Sequence, residues 1–138
     1  MPRPQGRQDQ TSGCVGEARR AAADALLLAK RGKLQESERL LRAALRTREK
    51  MLPRNHPDIF DGEARLGGVL VQEGRFQEAE PLLLSAYHGL EEVPGSKSAA
   101  KRLALQSIVE MYTAWSHSAH NGKAKEVATW KALESQIR

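Results

Sequence analysis

Apolar residues recur every three or four positions along most of this 138-residue chain. That is the spacing of helices that each bury one face. From Glu17, the stretch EARRAAADALLLAKRG sets Ala18, Ala22, Ala25, Leu28 and Ala29 on one side, which predicts a helix stopped at Gly32. Leu34, Leu41, Ala44 and Leu45, widened by Leu40, predict a second helix that Pro53 ends. Asp58 is the expected N-cap of a third helix over 59–73, terminated by Gly74. A fourth pattern covers 76–92. Pro81 lies inside it, and the less strained reading starts the helix near Glu78 with Pro81 in its first turn. A break at 93–96 precedes a fifth helix from Ser98 to Trp115 and a sixth from Lys123 to Gln136. No strand-like alternation appears, so the pattern predicts an all-α chain of three antiparallel helix pairs.

Composition sharpens this picture at the ends and in the charges. Residues 1–16 are rich in Pro, Gly, Gln and Ser and predict an unstructured arm ahead of a helical domain over 17–138. The single cysteine, Cys14, lies in that arm, so an internal disulfide and a cysteine-based zinc site are excluded. No apolar run is long enough to span a membrane and no secretory h-region opens the chain, so the expected compartment is the cytoplasm. The net charge of +5 is uneven: residues 17–52 carry +5, 53–95 carry −5 and 96–138 carry +4. This alternation suits segments that pack side by side rather than a uniformly basic nucleic-acid surface.

The pattern also repeats. Gly32 and Gly74 are 42 residues apart, as are Leu28 and Leu70, Leu34 and Phe76, Ser37 and Ala79, Leu41 and Leu83, and Ala44 and Ala86. A fixed offset across two helices and their turn signals a helical repeat. A third copy places Tyr112 at the Leu70 position, but its glycine, Gly122, comes late. That unit is expected to carry about six extra residues near SHSAHN, at its inter-helix turn. The units run over about 17–52, 57–92 and 98–138. Small residues at Ala25, Gly67, Ala79 and Ala86 let helices approach, and Leu28, Leu41, Leu70, Leu83 and Tyr112 fill the space between them. Gly67-Gly68 inside a helix costs about 1 kcal/mol per glycine, and close packing is the reason expected for Gly67.

Leu66-Gly67-x2-Leu70, Ala79-x3-Leu83, the core GRFQEAEPLL and the linker ALRTREKMLPRNHPDI resemble the tetratricopeptide repeat in its 42-residue, kinesin-light-chain form, as found in bacterial proteins. The resemblance covers about 17–136 and implies a short right-handed solenoid without a cofactor. It also implies a protein-interaction scaffold that holds a partner segment in a concave groove built from the first helices. By alignment the groove presents Arg19, Ala23, Leu26 and Lys30, then Arg65, Gly68 and Gln72, then Gln106, Glu110 and Thr113. The asparagines of the L-N-N-L-A signature are absent where this chain reads Glu63-Ala64-Arg65-Leu66-Gly67. A bound peptide would then meet Arg19, Lys30 and Arg65, which favours an acidic ligand.

Other chemistry is sparse. No phosphate-binding loop, dinucleotide fingerprint, HExxH or nucleophile elbow occurs, and the carboxylate pairs sit beside basic residues on amphipathic helices, so an enzyme is not expected. His117 and His120 could share a helix face but lack a third ligand, and His56 belongs to the turn. Arg39, Arg42, Arg46 and Lys50 form one basic stripe, with a second run at Lys97, Lys101 and Arg102. A polyanion is the alternative ligand for the stripe; without interleaved aromatics, nucleic-acid binding is disfavoured. A further alternative is a regulatory tail of a larger protein: YTAW and VATWKALE resemble the terminal segment of arrays attached to bacterial serine/threonine kinases. Val127, Trp130, Leu133 and Ile137 give the last helix an apolar stripe suited to capping the array, and no feature specifies an oligomeric state.

Overall fold

Two left-handed glycines punctuate the fold. In the computed structural model, which describes residues 6–93, 99–119 and 123–137, Gly32 and Gly74 have φ of 81° and 78°. Each closes its helix in the same way. The Gly32 N–H donates to Ala29 and the Lys33 N–H reaches back to Leu28 (2.9 Å). Gly74 and Arg75 repeat this on Val71 and Leu70, again at 2.9 Å for the longer-range bond. This pairing satisfies the last helical carbonyls, and the conformation it needs is one a Cβ resists.

Between these turns lie α1 (Gly6–Lys30), α2 (Leu34–Met51), α3 (Pro57–Gln72), α4 (Phe76–Glu91), α5 (Ala99–Ala119) and α6 (Ala124–Ile137). They pair as α1 with α2, α3 with α4 and α5 with α6. The pairs stack through α2 on α3 and through α5 on both α3 and α4. The result is an all-α solenoid of three pairs, as the periodicity predicts.

Four details differ from the sequence reading. Helix α1 begins at Gly6 rather than Glu17. Once Glu17 onward is helical, each upstream residue gains a backbone hydrogen bond without a new nucleus. A Cβ at Gly13 or Gly16 would meet nothing within 4 Å. Helix α3 is capped by His56, not Asp58: the His56 Nδ1 accepts from the Asp58 N–H (3.0 Å), with Pro57 in the first turn. Pro81 lies inside α4, which starts at Phe76 rather than near Glu78. Helix α5 continues to Ala119 instead of stopping at Trp115, so much of the extra length of the third unit extends a helix. Most of the expected 93–96 break, Lys97, Ser98, and His120 through Gly122 lie outside the described residues.

The core follows the repeat. Leu41, Ala44, Leu66, Leu70, Ala79, Leu83, Ala86 and Tyr112 are all buried, Phe76 is half-buried against this core, and Leu28, expected to fill it, is half-buried outside it. Gly67 explains itself: a Cβ there would lie 2.6 Å from Cγ and Cδ2 of Leu83 on α4. Val127, Trp130 and Leu133 of α6 pack on this core, with Trp130 edge-on to Tyr87 at 5.1 Å. Here α6 caps the last pair, as its stripe predicts.

Ion pairs recur with the unit. Glu38 on α2 accepts from the Arg75 guanidinium just before α4 (2.6 Å). Glu80, 42 residues after Glu38, meets Lys123 just before α6 (3.7 Å). Lys123 also lies over the Trp115 ring at 4.7 Å, and Glu80 accepts from the Tyr112 hydroxyl (2.8 Å). Burial and this carboxylate push the Tyr112 pKa well up. Glu80 with Lys123 joins the acidic middle segment to the basic last one, whereas Glu38 with Arg75 pairs two residues that each oppose the charge of their own segment.

Candidate functional site: a cleft across the first helices

Helices α1 and α3 barely touch, whereas α3 lies firmly against α5. The gap leaves a cleft of about 180 Å³. Its floor is Ser37 and Leu41 of α2, and its walls are Ala22, Leu26 and Ala29 of α1, Gly68 and Val69 of α3, and Leu103 and Ser107 of α5. Arg65, Gln72, Gln106 and Glu110 complete the lining. Small side chains create the space, and at Gly68 in its wall a Cβ would meet only the Ser107 Oγ, at 3.3 Å. Ser37 is fully buried, and its hydroxyl donates to the Ala25 carbonyl (2.7 Å), tying the floor to α1. Leu26 is 47% exposed, one of three large apolar side chains so placed among the described residues.

The structure brings together six of the ten groove residues expected from the sequence: Leu26, Arg65, Gly68, Gln72, Gln106 and Glu110. Arg19 lines a wider neighbouring hollow, shared with Leu26 and Arg65. Lys30 is exposed at the end of α1 and lines neither. Thr113 turns back on its own helix, donating to the Val109 carbonyl.

The charges are arranged differently from the expectation. Arg19 pairs with Asp58 (3.1 Å) and Arg65 with Asp61 (3.0 Å). Between them Arg48 is buried, with Nη1 donating to the Asp58 carbonyl (2.9 Å) and to Asp61 (3.2 Å). Two of the three cations expected to attract an acidic ligand therefore already face aspartates. Sequence reasoning missed Arg48, although its register was a signal: it stands 42 residues before Leu90, which is also buried. An arginine in an apolar register needs an internal acceptor, and α3 supplies two.

Residues 18–58 match the family model described as tetratricopeptide repeat. That segment is a tetratricopeptide-type repeat. It is of the 42-residue, kinesin-light-chain-like kind. No curated protein matches the chain significantly. Tetratricopeptide repeats are in general non-catalytic protein-interaction modules.

Elsewhere on the helical array, the basic stripe is partly neutralised. Arg42 donates to Glu38 (2.7 Å) and to Glu78 (3.2 Å), while Arg39, Arg46 and Lys50 are exposed. Beside Arg42 and Arg75, two half-buried carboxylates share a hydrogen bond. Burial and the Glu38 charge raise the Glu73 pKa. Burial also pulls Glu38 upward, but hydrogen bonds from Arg42 and Glu73 and the field of Arg75 outweigh it, so its pKa is lowered. His117 is exposed at the end of α5 and Cys14 half-buried on α1. Among the described residues, no three His, Cys, Asp or Glu side chains are grouped to hold a metal ion, and no helix is long and apolar enough to cross a membrane.

Proposed function

We propose that this chain is a non-catalytic interaction module that holds a segment of a partner protein in the cleft across α1, α3 and α5. One observation carries this reading: an apolar slot opens where α1 and α3 part, rimmed by the amides of Gln72 and Gln106. A side-chain amide both donates and accepts, as a peptide backbone requires. These two glutamines can serve where the asparagine ladder of related arrays is missing. The cleft, at about 180 Å³, is smaller than the roughly 300–1,000 Å³ of small-molecule sites. Its size suits part of a macromolecular ligand rather than a cofactor.

A photo-crosslinking amino acid at Gln72, compared with one at Arg46 on the exposed side of α2, tests this in the source cell. A discrete adduct from position 72 and none from 46 supports the groove. Adducts from 46 alone would move the binding surface to the basic stripe and overturn the proposal.

A further inference from the structure

We infer that the cleft takes a peptide segment presenting one apolar side chain beside a basic one, the apolar group seated over Gly68 and the cation meeting Glu110. This rests on the groove reading above and adds the chemistry of the partner.

The size of the cleft sets the apolar half. A cavity of about 150 Å³ lined by aliphatic groups accepts a benzene ring. The cleft, at about 180 Å³, therefore holds a single leucine-, methionine- or phenylalanine-sized group. Leu26, Val69 and Leu103 line it, and Leu26 remains half-exposed, an apolar surface that a ligand would cover. Gly68 is what keeps the slot open. Its register equivalents, 42 residues away on either side, are Leu26 and Glu110, so three successive first helices place a wall, a gap and a carboxylate along one line.

Charge sets the other half. Two charged residues line the cleft, Arg65 and Glu110. Arg65 gives its Nε to Asp61, which Arg48 also holds. Glu110 is exposed and has no ion-pair or hydrogen-bond partner among the described residues. Asp61 thus serves two arginines at once, whereas Glu110 on α5 faces no cation among the described residues, so the unpaired carboxylate lining the cleft is Glu110. A lysine or arginine beside the anchor would form a charge-assisted bond there, and an acidic neighbour would be repelled, which is how charge selects partners at interfaces.

The test is to pan a displayed random dodecapeptide library on the intact protein. Enriched peptides, labelled with fluorescein, are then titrated by anisotropy against wild type, Gly68→Leu and Glu110→Lys. The expected peptides place an apolar residue within two positions of Lys or Arg and lose about tenfold in affinity to Gly68→Leu, whose helicity is checked by circular dichroism. They lose a similar factor to Glu110→Lys, an exposed change that leaves the fold alone, and a Lys→Glu peptide regains binding to that variant. Enriched peptides that carry acidic neighbours and still weaken with Gly68→Leu would overturn the charge assignment while keeping the groove. Peptides that bind Gly68→Leu and wild type equally would overturn the slot. Failure to enrich any peptide would count against both this inference and the groove itself.

Discussion

Gly67 and Gly68 are neighbours on one helix, and alanine at the two positions should act in opposite directions. Each glycine-to-alanine change favours α3 by about 1 kcal/mol through helix propensity. At Gly67 the new Cβ falls 2.6 Å from two carbons of Leu83, which is fully buried between α3 and α4. Ordinary carbon contacts lie near 3.5–4.0 Å, so Leu83 must leave its rotamer or the helices must part by about 1 Å. Such overpacking costs about 1–3 kcal/mol. Gly67→Ala should therefore be destabilising on balance, by about 1 kcal/mol. At Gly68 the Cβ meets only the Ser107 hydroxyl, at 3.3 Å. That hydroxyl borders the cleft and can swing aside, so most of the propensity gain survives. The two variants should differ by about 1–3 kcal/mol, or several degrees in midpoint temperature for a domain of this size. Urea unfolding followed by far-ultraviolet circular dichroism measures the difference, provided the slopes agree. A Leu83→Val background should shrink the Gly67→Ala penalty, since it removes part of the clash. If both alanines shift the midpoint equally and in the same direction, the close-approach account of Gly67 is wrong.

The remaining expectations concern the polar junctions. Arg48→Ala strands the Asp58 carbonyl and half of the bonding at Asp61; it should cost about 2–3 kcal/mol in chemical denaturation, and Arg48→Met clearly less, because burying an apolar chain there needs no partner. His56→Ala removes the N-cap acceptor of α3 and should lower stability by about 1 kcal/mol, with Asn at that position recovering most of it in thermal melts. Glu73 has a raised pKa because burial and Glu38 disfavour its charge, so its protonated form stabilises the fold below the ordinary carboxylate range and that contribution is lost as pH rises through the raised value. Glu73→Gln should then melt higher than wild type at pH 7 and converge with it near pH 4. A constant offset at both pH values would refute this. Lys123→Gln removes the ion pair to Glu80 and the contact over Trp115, and should speed amide exchange in α6 more than in α3.

Much of the fold was legible in the residues. The three-to-four spacing, the glycines at 32 and 74 and the 42-residue offset determined six helices, their pairing and the packing role of Leu41, Leu70, Leu83 and Gly67. Each of these depends on contacts within a unit or on the same contact made again one unit later, so the pattern records them. Local competition was harder to read. Asp58 and His56 can both cap α3, and only the geometry at Pro57 chose His56. The helical continuation to Gly6 and the length of α5 were likewise missed, because composition registers a lack of burial but not the small cost of extending a helix already begun.

At the candidate site the division is sharper. Sequence alignment gathered Arg65, Gln72, Gln106 and Glu110 onto one face, which the helical register dictates. It could not show that Arg19 and Arg65 are matched by Asp58 and Asp61, that Arg48 is buried between them, or that α1 and α3 part over Gly68. Those are relations between side chains of different units. They depend on the distance and angle at which one pair stacks on the next, a quantity set by the packing of the whole array and carried by no single stretch of sequence.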